Sequence, residues 1–339
     1  MPGGYHTPRY SPGTWHSHAT AHGPSLPGVM ARRKSVRPSS PFPYGLPGAM
    51  YYRKLHRRGG INPLKPGRFE QHVVWVTGAS AGIGRELARV FAAEGACVAV
   101  SARRVERLNA LVEEISGQGR RGLTVPCDVT DESQVVDAAS AVVEHFGGLD
   151  VAVANAGYGV KGRVEELSAG DWRRQMDVNV AGLALTARYT LEHLRLRRGR
   201  LVLIGSVAAM LPAPLNGAYG ASKAAVMSLG RTLAVELHGS GVTCTTIHPG
   251  FVDSDIARVD NEGVFHAERE DPRPQRLMWP TDRAARVMVR AIHRRRREFV
   301  FTAHGAFFGF LGRHWPGLVH LLMTRIGPAH RAATRRRGR

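Results

Sequence analysis

Apolar positions change their rhythm once along this 339-residue chain, near residue 72. Downstream, apolar runs of strand length fall at 72–76, 96–100, 122–126, 151–154, 201–204, 243–247 and 299–302. Segments of helical spacing lie between them, at 83–94, 104–116, 131–146, 171–197, 217–238 and 281–296. Val- and Ile-rich runs without polar alternation belong to strands buried on both faces, as in parallel sheets. A repeated β-α-β order therefore predicts one α/β domain over 71–303, a parallel sheet with helices on both faces. A further apolar stretch follows, in which Phe308, Leu311, Trp315, Leu318, Leu322 and Ile326 stand at helical spacing and Pro316 marks a helix start. Arg313 and several glycines interrupt it, so it is too short to span a membrane. Two readings of the extension 304–339 stand: a helix packed on the body or on a partner subunit, or an interfacial helix resting on anionic lipid.

Composition and charge divide the chain in the same places. Residues 1–70 hold 11 of 20 prolines and 10 of 39 glycines, and read as a disordered leader. The leader lacks the apolar core of a secretory signal, and its prolines oppose the amphipathic helix of an organelle-targeting peptide. Met30 and Met50 offer alternative starts. The net charge of +20 sits at the ends, with +10 in residues 1–70 and +13 in residues 283–339, while residues 71–282 sum to −3. Basic ends alone do not mark a specific nucleic-acid site. Cys97, Cys127 and Cys244 lie in apolar stretches, which excludes a disulfide framework and suits a reducing, cytoplasmic location. His6, His16, His18 and His22 sit in the leader with nothing to fix a coordination geometry, so no metal site is read there.

The first strand leads into Thr77-Gly78-Ala79-Ser80-Ala81-Gly82-Ile83-Gly84 and then a helix. Between strand and helix, such glycines permit a tight turn, a close approach to a pyrophosphate, and close helix–strand packing. The helix N-terminus adds N–H donors and positive partial charge for phosphates. Glycines at 78, 82 and 84 differ from the Gly-x-Gly-x-x-Gly of many dehydrogenases, and the turn resembles that of the short-chain dehydrogenase/reductase family. The resemblance covers about 71–303 and implies a Rossmann-type doubly wound fold. At the end of the second strand stand Ala102, Arg103 and Arg104, where an acid would select NAD. Two guanidiniums there favour the 2′-phosphate of NADP(H). The third strand ends at Asp128 and Val129, and by resemblance Asp128 takes the adenine amino group. The fourth ends Asn155-Ala156-Gly157, with Ala154 in place of the family's first Asn.

Further motifs follow in family order. Asn179 lies inside an apolar helical segment, Ser206 just past the fifth strand, and Tyr219 and Lys223 four apart on one helix face. The set resembles the family's Asn-Ser-Tyr-Lys tetrad, in which Asn179 implies a helix distortion and a held water. The sixth strand runs into Pro249-Gly250-Phe251-Val252-Asp253-Ser254, similar to the segment that borders the nicotinamide, with Ser254 at the carboxamide position. A carbonyl that receives hydride needs a proton. Tyr219 supplies it, Lys223 and the positive nicotinamide ring lower the phenol's pKa toward operating pH, Lys223 also holds the nicotinamide ribose, and Ser206 donates to the substrate oxygen. Residues 207–215 and Phe251 are expected to give an almost uncharged, lipophilic substrate cleft, and residues 255–280 a mobile lid. The expected activity is NADP(H)-dependent interconversion of a ketone or aldehyde with a lipophilic secondary alcohol. A non-catalytic NADP(H)-binding protein or a membrane-associated member of the same fold is the alternative. The resemblance implies a homodimer or homotetramer built on helices 171–197 and 217–238.

Overall fold

The structure, a computed structural model, describes residues 67–326. Most of the leader, including its histidines, Met30 and Met50, lies outside the described residues, as does the cluster Arg335–Arg337. The last residues of the leader as read belong to the body. Phe69 is fully buried and meets Phe91 edge to face at 5.0 Å between ring centres.

Seven strands form one parallel sheet: β1 (Val73–Thr77), β2 (Cys97–Ser101), β3 (Gly122–Thr124), β4 (Val151–Ala154), β5 (Arg200–Ile204), β6 (Thr243–His248) and β7 (Glu298–Val300). Their order is β3-β2-β1-β4-β5-β6-β7. The intervening helices are α1 (Gly82–Ala93), α2 (Val105–Gly117), α3 (Glu132–Phe146), α4 (Ala169–Met176), α5 (Gly182–Arg197), α6 (Gly217–Glu236) and α7 (Thr281–His293).

Strand periodicity sorts the core into two layers. Val73 and Trp75 point to the side covered by α3, α5 and α6. Val74 and Val76 point to the side covered by α1, α2 and α7. The sheet is thus wound on both faces, as the sequence predicts. Chain direction along the sheet reverses between β1 and β4. In such sheets the crevice for a ligand opens beyond the carboxyl ends of those two strands.

Two segments depart from the single helix that their periodicity alone predicts. The segment read as one helix over 171–197 is divided by a π-helical turn, Asp177–Ala181, between α4 and α5, the distortion that the resemblance implies at Asn179. Asn179 sits at its centre, fully buried. The C-terminal stripe belongs to two helices, α8 (Ala303–His314) and α9 (Pro316–Ile326), broken at Trp315. Pro316 starts α9 as read, but of the stripe Leu311 is buried while Phe308, Trp315, Leu318 and Leu322 are exposed. Gly305, Gly309 and Val319 are buried as well.

Candidate active site

A cleft of about 820 Å³ opens at the carboxyl ends of β1 and β4. Its first wall is the glycine turn. Gly78 and Gly82 have φ of 67° and 52°, a left-handed backbone that side chains with a Cβ rarely adopt. A Cβ on Gly78 would lie 2.7 Å from Ala156 Cα, and one on Gly84 would run into Asn155 Nδ2 and Gly78 O. The glycines therefore let β1, β4 and the start of α1 close on one another. No side chain caps α1, so its first N–H groups are left to a ligand or solvent.

Thr77 and Asn155 stitch the two strand ends together. Thr77 Oγ1 donates to Val153 O (3.2 Å) and accepts from Asn155 N (3.1 Å), and Asn155 Nδ2 donates to Thr77 O (2.9 Å). Thr77 is buried beneath the cleft, where its hydrogen bonds support the turn. Gly78, Ser80, Gly82, Ile83, Gly84, Val129, Asn155, Ala156 and Gly157 all line the wall.

The end of β2 forms a cationic corner. Arg104 donates from Nε and Nη2 to Ser80 Oγ, at 3.2 and 2.9 Å, and so joins the glycine turn. Arg103 is 64% exposed, and its Nη1 stands 3.9 Å from Asp128 Oδ2. Burial, then the neighbouring charges of Arg107 and Arg103, lowers the pKa of Arg104. A hydroxyl and clustered guanidiniums at this corner fit an anionic group such as a phosphate. Asp128 also accepts from Thr130 N (3.0 Å) and Thr130 Oγ1 (2.8 Å), so it shapes its own turn as well as facing the cleft.

At the other end Ser206, Tyr219 and Lys223 line the cleft beside Pro249, Gly250, Val252 and Ser254. Ser206 Oγ accepts from Ala208 N at 3.1 Å, which caps the short turn after β5. Lys223 is buried, donates to Ile204 O at 2.9 Å, and has its Nζ 5.9 Å from the centre of the Tyr219 ring. Burial pushes its pKa down to about 8. Burial also raises the Tyr219 phenol, an effect opposed by the Ser206 hydroxyl and the Arg273 charge. In the chain alone desolvation outweighs these groups, and the lowering read for Lys223 together with the nicotinamide ring belongs to the cofactor-bound site. Asn179 does not line the cleft. Its Oδ1 accepts from Tyr158 N (3.1 Å), and its Nδ2 donates to Tyr158 O and Ser222 Oγ, both at 3.0 Å. The π-helical turn thus aims a buried amide at the strand β4 exit and at the helix that carries Tyr219.

The substrate side differs from its expectation. Val207 is core, and residues 208–214 line a second cavity of about 610 Å³ together with α9. Phe251 stacks on His304 of α8 with ring centres 5.5 Å apart. The cleft with Tyr219 is also not free of charge, since Arg174, Asp177, Asp255, Glu262 and Arg273 line it. Of residues 255–280, read as a lid, the part 255–265 and Arg273 contribute to its lining. Asn261 pairs its side-chain amide with both backbone groups of Lys161, at 2.9 and 3.0 Å, and Phe265 lies under Arg107 at 5.2 Å. Sequence reasoning passed over Tyr158, Arg174 and Arg273. The only signal for Arg273 is its place between Pro272 and Pro274.

Residues 72–264 match the short chain dehydrogenase family. An 11-beta-hydroxysteroid dehydrogenase A of Arachis hypogaea is 40% identical over 188 residues, 55% of this chain and 54% of that protein. A short chain dehydrogenase/reductase of Burkholderia phymatum, solved in complex with NAD, is 29% identical with a TM-score of 0.67, covering 74% of this chain and 96% of its own. A short chain dehydrogenase of Burkholderia cenocepacia J2315 in complex with NADP is also 29% identical, with a TM-score of 0.60 over 69% of this chain and 97% of its own. Sheet order, glycine turn, the grouping of Ser206, Tyr219 and Lys223, and these matches agree: the chain belongs to the short-chain dehydrogenase family and is an oxidoreductase.

Proposed function

We propose that the protein is an NADP(H)-dependent oxidoreductase that interconverts a ketone or aldehyde with a lipophilic secondary alcohol. The observation that carries this reading is one cleft with a cationic corner at Ser80, Arg103 and Arg104 and with Ser206, Tyr219 and Lys223 at its other end. When bound, the nicotinamide cofactor supplies or accepts the hydride. The glycine turn and the start of α1 hold its phosphates, and Asp128, Val129, Asn155, Ala156 and Gly157 line its adenine and ribose path. Lys223 holds ribose hydroxyls, while Pro249, Gly250, Val252 and Ser254 border the reacting ring.

The chain's own groups then handle the proton. Tyr219 is protonated at neutral pH because burial raises its pKa, which suits it as the proton donor when a carbonyl is reduced. In the oxidative direction it must first lose that proton, so a nearby positive charge speeds this direction. Ser206 donates to the substrate oxygen, and water is kept out by the lid over the cleft. The relative named for hydroxysteroids supports a lipophilic substrate.

The test is the ratio of kcat/KM with NADPH and NADH on a panel of lipophilic ketones. A charge-assisted hydrogen bond to phosphate contributes about 1.5–3 kcal/mol. Arg103→Ala and Arg104→Ala are each expected to lower the NADPH preference about tenfold or more. Ala102→Asp is expected to turn the preference toward NADH. A wild-type ratio favouring NADH overturns the cofactor assignment, and absence of turnover across the panel overturns the substrate class.

Two finer assignments complete the reading. The protein is a homodimer or homotetramer through α5 and α6, whose outward Leu196 and Val235 are 79% and 76% exposed. Its cytoplasmic form contacts membranes peripherally through α8 and α9, where Phe307, Phe310 and Trp315 are each more than half exposed.

A further inference from the structure

Among the lid residues that line the cleft, Arg273 is held more firmly than any motif requires. Pro272 and Pro274 flank it and fix φ on either side. Its side chain is 19% exposed and that of Asp271 is 13% exposed. Asp271 grips the guanidinium as a fork, with Nε 2.8 and 3.0 Å from the two carboxylate oxygens and Nη2 2.6 Å from one of them. On its other side Nη1 donates to Val252 O and Nη2 donates to Ser254 O, both at 2.9 Å. Two carbonyls of the segment after Pro249-Gly250 therefore end on one guanidinium. That segment also touches the glycine turn, because a Cβ on Gly82 would lie 3.2 Å from Ser254 Cβ. Val252, Ser254, Arg273 and Tyr219 share one cleft wall.

We propose that Arg273 is a positioning residue for the reaction read above: locked by Asp271, it fixes the backbone of Val252 and Ser254 on the cofactor side of the cleft and places a permanent cation in the wall that carries Tyr219. A planar fork is needed for the first task, because four acceptors are met in two directions at once. Only the positive charge is needed for the second. The charge of Arg273 opposes the burial that raises the Tyr219 phenol, and it adds to the burial that disfavours the ammonium of Lys161. The inference rests on the proposed function for the meaning of the wall, while the placement itself does not depend on any substrate.

The two tasks separate in two variants of the full chain. Arg273→Lys keeps the charge and loses the fork, and Arg273→Met loses both. NADPH affinity is read by quenching of protein fluorescence. The Tyr219 titration is read by ultraviolet difference absorbance in the cofactor-free protein, with Tyr219→Phe subtracted to isolate it. Both variants are expected to weaken NADPH binding roughly fivefold or more. Only Arg273→Met is expected to move the phenol titration, upward by about half a pH unit or more. The pH profile of alcohol oxidation then shifts its rising limb to higher pH in Arg273→Met alone. If Arg273→Met does not fold, Arg273→Gln carries the same comparison. An unmoved titration in the uncharged variant, or unchanged NADPH affinity in Arg273→Lys, overturns the proposal. A wild type that turns over no ketone, with both shifts present, refutes the reductase reading and leaves the positioning role standing.

Discussion

Tyr219 and Lys223 lie side by side at one end of the cleft, and the chemistry of both follows from what burial does to their charged forms. Replacing Tyr219 with Phe removes the proton donor and leaves the cofactor wall intact. Turnover is expected to fall by about 10² to 10⁴ with NADPH affinity nearly unchanged, checked by steady-state rates beside a binding titration. Lys223 carries an opposite penalty. Its pKa is about 8 in the fold and 10.5 as the unperturbed value, so between those two the unfolded chain binds more protons and stability rises with pH. Below pH 8 the buried charge is fully paid for by the fold. Lys223→Met is therefore expected to raise the stability of the cofactor-free protein at neutral pH by on the order of 1–3 kcal/mol, with the gain fading toward pH 10.5. Denaturant midpoints of the two proteins across that range check it, and a difference independent of pH refutes it. Side chains with a fixed spacing to a motif, such as Tyr219 and Lys223, were legible because four residues make one helical turn. The stitching of Thr77 to β4 was hidden because its direction depends on the pairing of β1 with β4, which no local pattern encodes. The closer tie of Arg104 than Arg103 to the glycine turn was likewise hidden, since it is a contact across 24 positions of sequence.

Elements were legible where a long apolar run or a clear helical period defined them. The seven strands lie within a residue or two of their expected places, because buried parallel strands write themselves as continuous Val, Ile, Leu and Ala. The break at Asn179 was legible only through the resemblance and the one at Trp315 only through Pro316, since both sit inside apolar segments whose periodicity a continuous helix satisfies equally well. Strand β6 ends in a further buried group. His248 is fully buried, with Nδ1 3.2 Å from the Ser206 carbonyl oxygen and Nε2 3.5 Å from Glu298, itself paired with Arg231 and Arg313. Burial pushes its pKa down to about 4 from 6.5. The ring is thus neutral in the fold, and the stability this provides is present above pH 6.5 and lost as pH falls toward 4. His248→Asn is expected to remove on the order of 2–3 kcal/mol of that acid sensitivity, read from unfolding at pH 7 and pH 4.5. Helix α8 makes a tighter demand. A Cβ on Gly312 would run into Met210 O, and one on Gly309 would lie 3.0 Å from Met210 Sδ. Gly312→Ala must push α8 away from the turn after Ser206, at a cost of about 1–3 kcal/mol, with a raised substrate KM. Thermal unfolding and steady-state kinetics test it, and unchanged values would show that the turn holds itself.

The whole molecule separates charge from chemistry. Residues 71–282 are near neutral and carry every group of the candidate site, while no Asp or Glu occurs from residue 299 to the end. Helices α8 and α9 stand between the two. Their inner side packs on the turn after Ser206 and borders the second cavity through His320, Met323 and Thr324. Their outer side shows Phe307 at 58%, Phe310 at 56% and Trp315 at 58% exposure. Among the described residues no helix is long and apolar enough to cross a membrane. An aromatic surface followed by a basic terminus instead suits the headgroup layer of an anionic bilayer, where each Lys or Arg near the surface contributes about 1 kcal/mol and salt screens the attraction. The full chain is therefore expected to sediment with vesicles of phosphatidylcholine and phosphatidylserine, to do so less at high salt, and to leave pure phosphatidylcholine largely alone. Replacing Phe307, Phe310 and Trp315 together with Ser is expected to abolish sedimentation while NADPH affinity is kept, because none of the three lines the main cleft. If the triple variant instead changes the oligomeric state and still sediments with vesicles, the aromatic surface is a subunit contact and the lipid assignment fails.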